Sequence, residues 1–434
     1  MSKLFDTELG ALVNVKHGFP FKSEFFEESG DLVVLTPGNF FEEGGFKRNA
    51  EKDKCYSAEF PEDYLLKKGE ILIAMTEQAE GLLGSMATVP KSNRFLHNQR
   101  LGLVTSKCSE TNIRYIYHLS KTPWIRKQIR LSSSGSKVKH TSPDRISEVK
   151  VKILPPDQQI KSASLLDTID EKIELNNRIN AELESLARLL YDYWFVQFDF
   201  PMTAEQAAVH GDPSLTGKPY KSSGGKMTHN KNLNLEIPVE WHGGVIEELA
   251  SLNQRSWNQA TRPETVQYVD LANTKNGTIQ ETQQFAWEEA PSRARRILCP
   301  DDSIIGTVRP GNRSFALIGP DTKDLTGSTG FAVISPTSSE NREFVYLTLT
   351  APTNIDRLAT IASGAAYPAV KPEVIAQTPC PLPPPEILEA FHKATASNFD
   401  LIANNQKQNQ ELAALRDWLL PMLMNGQVTV NSKK

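Results

Sequence analysis

The sequence predicts a mixed α/β protein in which two globular domains alternate with two long helices. First, the chain has 434 residues, a length that exceeds what a single hydrophobic core accommodates, and 39% of its residues are hydrophobic. Second, the C-terminal half repeats the N-terminal half at an offset of 229 positions, so that Gly135 matches Gly364 and Pro143 matches Pro372. Third, the match continues down two helical stretches, each preceded by a Pro-Pro pair. The predicted fold class is therefore α/β, with two long antiparallel coiled-coil helices and an internal pseudo-twofold repeat.

Composition along the chain predicts six segments. Both globular stretches contain short apolar, strand-like runs followed by a shorter helix and a Ser-Gly turn. A stretch rich in Gly, Ser, Pro and Lys follows the first long helix and favours a connecting loop. The predicted boundaries are a first globular domain at 1–156, a long helix at 157–198, a loop at 199–237, a second globular domain at 238–385, a second long helix at 386–426 and a tail at 427–434.

The two long helices carry an apolar heptad seam with asparagine in its middle. Buried asparagine costs stability but sets register, and the asparagines recur at corresponding positions, so we expect the two helices to pack on each other. An intermolecular coiled coil that forms a homodimer is the alternative. Aromatic residues outside the seam are interpreted as core: Tyr191, Tyr193, Trp194, Phe195, Phe198 and Trp418. The predicted helix-pairing residues are Leu166, Ile169, Ile173, Asn176, Asn180, Leu183, Leu190, Ile402, Asn405, Asn409, Leu412 and Leu419.

Charge is distributed unevenly although the net charge is only −4. Residues 86–150 hold thirteen Lys and Arg against three Asp and Glu, which is typical of a surface that binds a polyanion. The alternative is a solvated basic face neutralised by residues 1–85, which hold nine basic and sixteen acidic residues. Residues 230–380 carry thirteen basic and seventeen acidic residues, so any basic surface there must be local.

Sequence motifs for catalysis are absent. The chain has no phosphate-binding loop, no dinucleotide-binding glycine motif, no nucleophile elbow and no metal-ligand spacing, and its four cysteines form no close pair. We therefore expect no catalytic residue, no metal and no cofactor in this chain. It also has no run of eighteen apolar residues and no apolar leader, so we expect a cytoplasmic protein without a membrane partner.

Several stretches resemble the specificity subunit of type I restriction-modification enzymes. They are LPPDQQIKSASLLDTIDEKIELNNRINAELESLARLLYDYWFVQFDFP at 154–201, GKPYKSSGGKM at 217–227, EIPVEW at 236–241, VDLANTKNG at 269–277 and NQELAALRDWLLPMLMNGQV at 409–428.

The resemblance implies that each globular domain is a target recognition domain reading one half of a bipartite, asymmetric double-stranded DNA site. The paired helices would set the gap and dock two methyltransferase subunits, which bind S-adenosylmethionine and methylate adenine N6. Restriction subunits using ATP and Mg²⁺ would complete the complex.

Candidate DNA-binding residues lie in polar turns that follow or precede strand-like runs. Arg, Lys, Asn and Gln can read base edges, and Ser, Thr and backbone N–H groups can hold phosphates. The structural alternatives are a polar turn before a strand for 98–100 and a helix C-cap for the segment 132–139. The candidates are Asn98, Gln99, Arg100, Ser136, Lys137, Lys139, Arg309, Asn312, Arg313, Ser328, Thr329 and Tyr367.

Two other functions compete with DNA recognition. A fused methyltransferase or nuclease is opposed by the missing motifs. A two-headed adaptor that binds only proteins would differ in its response to salt, because DNA binding weakens steeply with ionic strength.

Overall fold

The computed structural model describes residues 4–48, 52–77, 80–364 and 367–430. The chain divides into two compact units: unit 1 comprises Met1–Ile173 and Gln410–Lys434, and unit 2 comprises Glu174–Asn409. Both long helices contribute one part to each unit, which the predicted domain boundaries did not anticipate; those boundaries stay predictions. Within the part of the chain that the structure describes, no helix is long and apolar enough to cross a membrane.

Unit 1 contains twelve strands and the start of a long helix among its described residues. Its strands are β1 (Phe5–Glu8), β2 (Val13–His17), β3 (Phe26–Glu27), β4 (Val33–Leu35), β5 (Cys55–Tyr56), β6 (Ile71–Ala74), β7 (Thr76–Glu77), β8 (Met86–Thr88), β9 (Phe95–His97), β10 (Leu101–Ser106), β11 (Lys139–His140) and β12 (Lys150–Ile153). Its helices are α1 (Leu9–Leu12), α2 (Ile113–Ser120), α3 (Pro123–Leu131), α4 (Pro143–Ser147) and the first part of α5 (Pro156–Tyr191).

The strands of unit 1 form two main sheets, in the orders β2-β10-β6-β8 and β3-β5-β4-β9. Side chains alternate between the two faces of strand β6, and both faces are buried. Ile71 and Ile73 pack in one hydrophobic cluster with α2 and α3, whereas Leu72 and Ala74 pack in another with the second sheet. Strand β6 therefore lies at the centre of unit 1, between two hydrophobic clusters.

Unit 2 repeats this arrangement with additional elements. Its strands are β13 (Met227–Asn230), β14 (Leu235–Pro238), β15 (His242–Val245), β16 (Ala250–Leu252), β17 (Thr265–Val269), β18 (Thr274–Lys275), β19 (Thr278–Ile279), β20 (Gln283–Ala286), β21 (Ala294–Ile297), β22 (Ser303–Gly306), β23 (Phe315–Leu317), β24 (Leu325–Ser328), β25 (Phe331–Pro336) and β26 (Pro379–Leu382). Its helices are α6 (Ala204–Val209), α7 (Arg342–Thr350), α8 (Pro352–Ile361), α9 (Pro372–Ala376) and the first part of α10 (Pro385–Met424), whose last part belongs to unit 1. A π-helical turn at Asp192–Val196 extends α5.

The first sheets of the two units have corresponding strand orders, and the second sheets share three corresponding strands. Unit 2 has the sheets β16-β25-β22-β23 and β20-β17-β24-β21, and β17 runs parallel to β24 as β4 does to β9. The strand that precedes α5, β12, pairs with β1, and the strand that precedes α10, β26, pairs with β15. The duplication therefore extends through both globular domains, and the predicted fold class is confirmed.

Residues 199–237 are folded, although their composition favours a loop. They include α6 and the β13–β14 hairpin. The ring of Phe200 stacks on Tyr220 at 4.7 Å and on Trp241 at 5.2 Å between centroids, and all three are buried in the core of unit 2. A few aromatic side chains therefore order a segment whose average composition is that of a linker.

Most of the aromatic residues at the end of α5 are core residues, as interpreted from the sequence. Tyr191, Trp194, Phe195 and Phe198 are buried in the core of unit 2, and Tyr193 packs against it half-buried. Trp418 of α10 departs from this interpretation because 63% of its surface is exposed.

Candidate nucleic-acid interface

Three segments of unit 1 meet at the end of the central strand β6. The backbone N–H of Met75 donates to the carbonyl of Arg100 at 2.9 Å, and the N–H of Thr141 donates to the carbonyl of Met75 at 2.9 Å. This arrangement places the turn Asn98–Arg100 and the stretch 134–141 beside the loop that begins at Met75. We call these segments the unit 1 site.

The same three segments meet in unit 2. The N–H of Thr307 donates to the carbonyl of Gly330 at 2.8 Å, and the N–H of Val370 donates to the carbonyl of Thr307 at 2.9 Å. Thr307 is thus the structural equivalent of Met75, and Gly330 that of Arg100. The unit 2 site comprises the described residues of 307–313, 328–330 and 363–370, so every DNA-binding candidate lies in one of the two sites.

Asn98 and Ser328 occupy equivalent positions and form the same turn. The Oδ1 atom of Asn98 accepts a hydrogen bond from the N–H of Arg100 at 2.9 Å, and the Oγ atom of Ser328 accepts one from Gly330 at 3.2 Å. Both side chains are buried. These two side chains shape their turns, which is the structural alternative proposed for Asn98. Their neighbours Gln99, Arg100 and Thr329 are exposed.

Each Ser-Gly pair forms a tight turn that needs glycine. Gly135 has φ +98° and Gly364 has φ +118°, and a Cβ atom on Gly135 would lie 2.0 Å from the carbonyl oxygen of Val138. Ser134 bridges His140, and Ser363 bridges Ala369, so the segments are hairpin-like. The helix C-cap alternative for the segment 132–139 is correct for its first residue, because α3 ends at Leu131 and the capping residue is Ser132.

The first Ser-Gly turn presents Ser136 and Lys137 to solvent, whereas Lys139 is half-buried. Lys139 of β11 lies opposite Glu77 of β7 in the backbone register of these two strands. The second turn presents Tyr367, which is 71% exposed. The polar atoms of one turn are thus replaced by an aromatic ring in the other.

The loop after β22 holds three of the candidates. Arg309 and Arg313 both adopt left-handed backbone conformations, with φ +48° and +57°, which cost energy for residues other than glycine. The guanidinium of Arg309 lies 4.8 Å from the ring centroid of Tyr367. The backbone N–H of Arg309 donates to the carbonyl of Pro368. The structure therefore joins Arg309 to Tyr367 and leaves Asn312 and Arg313 exposed beside them.

Unit 1 has a glutamate where unit 2 has Arg309. Glu77 is buried and accepts hydrogen bonds from the N–H groups of Gly81 at 3.1 Å and Leu83 at 2.9 Å. Arg130 lies 3.7 Å from its carboxylate. The sequence offered no signal for this exchange, because the spacing of the two loops differs from that of the repeat.

Ion pairs absorb part of the basic cluster at 86–150. Salt bridges join Arg94 to Asp31 at 3.5 Å, Arg114 to Asp167 at 2.6 Å, Lys121 to Asp170 at 3.3 Å and Arg130 to Glu80 at 2.8 Å. Neutralisation by residues 1–85 is thus correct for Arg94 and Arg130, whereas Arg114 and Lys121 pair with aspartates of α5. Exposed basic residues of the cluster include Lys91, Arg100, Lys127 and Lys137.

The predicted helix-pairing asparagines contact one another within unit 2. The Nδ2 atom of Asn176 donates to Asn409 at 2.9 Å and to Gln408 at 2.8 Å, and that of Asn405 donates to Asn180 at 2.8 Å. The order of these pairs makes α5 and α10 antiparallel in unit 2. The pairing lies within one chain, which favours the intramolecular interpretation over the homodimer.

The apolar helix-pairing residues divide between the units. Leu166 and Ile169 are buried in unit 1, where Leu419 packs in the same cluster as Leu166. Leu190 and Ile402 pack against the core of unit 2. The remaining three, which the structure leaves half-buried, are Ile173, Leu183 and Leu412.

Comparisons with known proteins agree with this architecture. Residues 2–185 match the family model described as type I restriction modification DNA specificity domain. The chain is 26% identical over 321 residues to the type I restriction enzyme MjaIX specificity subunit of Methanocaldococcus jannaschii, covering 73% of this chain and 69% of that one. Residues 2–185 are thus similar to the DNA specificity domain of type I restriction-modification enzymes, and the chain is similar to a specificity subunit over most of its length.

A second relative of this chain is the type I restriction enzyme HindI specificity subunit of Haemophilus influenzae. It is 24% identical over 363 residues, covering 70% of this chain and 74% of the relative. The crystal structure of the type I restriction-modification system S subunit from M. genitalium shares the fold, with a TM-score of 0.56 at 14% identity over 100% of this chain and 97% of that one. The family match ends at residue 185, but the strand order repeats in unit 2.

Proposed function

We propose that this chain is the non-catalytic specificity subunit that directs DNA methylation to a bipartite, asymmetric site. Each globular domain reads one half-site in double-stranded DNA, and the paired helices set the gap between the half-sites. The same chain docks two methyltransferase subunits that methylate adenine N6. Restriction subunits join the complex, and the partner subunits supply S-adenosylmethionine, ATP and Mg²⁺. The complex acts in the cytoplasm.

The observation that carries this proposal is the pair of equivalent sites with different side chains. Both sites are built by the same three segments on the same backbone hydrogen bonds. Exposed Gln99 and Arg100 stand in unit 1 where unit 2 has Thr329 and Gly330, and Glu77 stands where unit 2 has Arg309. Sequence is read by side chains at base edges, so one frame with two sets of side chains suits an asymmetric site.

The gap between half-sites is proposed to follow from the helices. Helix α5 has 36 residues and α10 has 40, which correspond to lengths of about 54 and about 60 Å. DNA-binding dimers with rigid spacers require half-sites at a defined separation of about one helical turn or a multiple of it. Two linked readers also gain affinity because the second binding event becomes intramolecular.

Docking of two methyltransferase subunits is supported by exposed apolar residues that recur in the repeat. Leu186 and Leu189 of α5 are 56% and 64% exposed in unit 2, and their equivalents Leu415 and Trp418 of α10 are 44% and 63% exposed in unit 1. Exposed apolar side chains at matching positions provide two similar surfaces. Two similar surfaces suit two copies of one partner.

The test is to co-express the chain with the methyltransferase encoded beside it and to map N6-methyladenine in the host genome. We expect one bipartite motif with a fixed gap. The variant Arg100→Gln should relax only one half of the motif, and Arg313→Gln only the other half. Lys323→Gln, an exposed residue outside both sites, is the matched control and should leave the motif unchanged.

Methylation that does not depend on this chain, or a continuous palindromic motif, would contradict the proposal. The adaptor alternative is tested by binding of the same complex to duplex DNA at increasing salt. Affinity that does not fall with ionic strength would favour a protein-binding adaptor.

A further inference from the structure

The last strand in the order of the second sheet of unit 2 carries two arginines, and a third arginine precedes it. Strand β21 lies at the end of the order β20-β17-β24-β21 and has a bulge between Ala294 and Arg296. Arg293 precedes the strand, and Arg295 and Arg296 lie within it. We call Arg293, Arg295 and Arg296 the edge arginines. They were not among the DNA-binding residues predicted from the sequence.

The edge arginines are continuous with the unit 2 site. The N–H of Thr329 donates to the carbonyl of Arg293 at 2.8 Å, so the strand begins beside the turn that presents Thr329. Segment 255–257 pairs with the other side of β21, since Trp257 donates its N–H to the carbonyl of Arg295 at 2.9 Å. The edge is therefore ordered by pairing on both sides.

The side chains of Arg295 and Arg296 are positioned by contacts that leave their charges without an ion pair among the described residues. The guanidinium of Arg295 lies 4.6 Å from the ring centroid of Trp287, and Nη1 of Arg296 donates to Oγ of Ser256 at 3.1 Å. The Nε atom of Arg296 is buried without a hydrogen-bond partner among the described residues. None of the three forms an ion pair with a residue that the structure describes, whereas neighbouring Arg262 pairs with Glu288 at 3.6 Å.

The equivalent edge in unit 1 has the opposite charge. Leu65 bridges Leu96 of β9 as Ile297 pairs with Thr326 of β24, so Leu65 and Ile297 are equivalent. Two residues before them stand Asp63 in unit 1 and Arg295 in unit 2. Asp63 is exposed and pairs with Lys16 at 3.6 Å. If Asp63 and Arg295 had the same structural role, their charges would not need to be opposite.

We infer that the edge arginines form a phosphate-binding surface for duplex DNA in unit 2, which unit 1 lacks at the equivalent edge. This inference rests on the proposed DNA-reading function and adds a contact outside the predicted site. Guanidinium groups bind phosphate oxygens in a bidentate manner, and preordered side chains lose less entropy on binding. Such contacts position the protein on DNA and carry no sequence preference themselves.

The experiment uses the full chain in complex with its methyltransferase and a short labelled duplex of mixed sequence. Affinity is measured from about 50 to about 200 mM salt, where each phosphate contact contributes about 0.9 to the slope of log affinity against log salt. The variants are Arg293→Gln alone and Arg295→Gln with Arg296→Gln. The charge-conserving variant Arg295→Lys with Arg296→Lys is the control, and thermal melting shows whether each variant folds.

We expect the slope to fall by about 1 for each arginine neutralised and to remain nearly unchanged in the lysine variant. The methylation motif should not change. Unchanged slopes in both the single and the double glutamine variants would overturn the inference. A motif altered at one half-site with an unchanged slope would also overturn it. Failure of the wild-type complex to bind duplex DNA at low salt would instead overturn the proposed function.

Discussion

Equivalent residues of the two units do different work on the same backbone. Met75 and Thr307 anchor their sites through identical hydrogen bonds, yet the loops that follow begin with a buried Glu77 and an exposed Arg309. Glu77 holds its own loop by accepting backbone N–H groups, whereas Arg309 lies over Tyr367. Conformation in unit 1 is therefore maintained by a carboxylate, and in unit 2 by a cation and an aromatic ring.

Substitution of Tyr367 tests whether the ring positions Arg309. Tyr367→Ala removes the contact with the guanidinium, whose worth is about 0.5–1 kcal/mol at an exposed site. We expect Tyr367→Ala to weaken discrimination at one half-site by about 2- to 5-fold, which corresponds to that energy. Tyr367→Phe is the matched control and should retain discrimination, because the ring is kept. The measurement is the methylation rate on duplexes with single base changes.

Loss of discrimination in Tyr367→Phe as well would show that the hydroxyl, and not the ring, is the functional group. Equal rates for Tyr367→Ala and the wild type would show that Arg309 needs no support.

Residue types in the two sites could be predicted from the sequence, but their roles could not. Polar turns beside strand-like runs identified Asn98 and Ser328, which the structure then buries in equivalent turns. Burial depends on which segments meet at the end of the central strand, and that is a tertiary property. The sequence identifies the edge arginines as basic residues of the second domain, but it does not show that they lie in or before one strand beside the unit 2 site.

Elements are coupled within unit 1 by an ionic cluster between α2 and α5. Asp167 of α5 accepts hydrogen bonds from Arg114 at 2.6 Å and His118 at 2.7 Å. Burial alone would raise the pKa of Asp167, but the hydrogen bonds from His118 and Arg114 outweigh it and hold the pKa well below its usual range. Burial lowers the pKa of His118, so its imidazole is neutral and donates one hydrogen bond.

Asp167→Asn should destabilise the chain at neutral pH by about 1.5–3 kcal/mol, the worth of a hydrogen bond to a charged group. A carboxylate with a depressed folded pKa stabilises the protein above its unfolded pKa of about 3.9. That contribution disappears as the pH falls through the folded value, and the loss begins near about pH 5. The difference between variant and wild type in urea unfolding should therefore shrink in acid.

Asp63→Asn is the control for this series, because its salt bridge with Lys16 is exposed and should contribute little at any pH. A penalty for Asp167→Asn that stays constant between neutral and acidic pH would contradict the assignment of a charged carboxylate.

The helix pair depends on amides whose burial differs at equivalent positions. Asn176 is fully buried, whereas its equivalent Asn405 is half-buried. A carboxylate loses more hydration energy the more it is buried, and no cation contacts Asn176 among the described residues. We expect Asn176→Asp to lower the free energy of unfolding more than Asn405→Asp, by at least about 1 kcal/mol. Equal losses in urea unfolding would show that the seam is hydrated throughout.

The heptad pattern predicted these helices well because the hydrogen bonds within a helix are local and the apolar positions along it are periodic. The heptad repeat in the sequence is sufficient to identify Leu166, Ile169, Leu190 and the asparagines as helix-pairing residues. The β-sheets of the globular domains could be predicted only as a class, since strands of two to six residues pair with partners far along the chain. Aromatic contacts of Phe200 and Tyr220 likewise order a segment whose composition favours a loop.

The whole molecule is a duplication in which each unit combines one globular domain with parts of both long helices. Repetition of the strand order shows that the copies kept their framework while their exposed side chains diverged. The long helices kept apolar residues exposed at the same places, Leu186 with Leu415 and Leu189 with Trp418. Exposure of large apolar residues at matching positions is unfavourable in an isolated chain and favourable if a partner covers each copy.

Each exposed pair should therefore be required for one methyltransferase subunit. Glutamates in place of Leu415 and Trp418 should give a complex with one methyltransferase fewer, because a buried charge without a partner is costly at an interface. Substitution of Leu186 and Leu189 should remove the other copy, and all four changes together should remove both. Static light scattering of the co-expressed complexes gives the number of subunits from the mass.

Leu401→Glu is the matched control for this experiment. Leu401 is 44% exposed on α10, but its equivalent on α5 is Lys172, so the repeat itself has a charge at this position. We expect Leu401→Glu to retain two methyltransferase subunits. If either double variant lost both copies, the two subunits would depend on a shared surface. If neither variant lost any, docking would lie elsewhere, and the exposed pairs would have another partner.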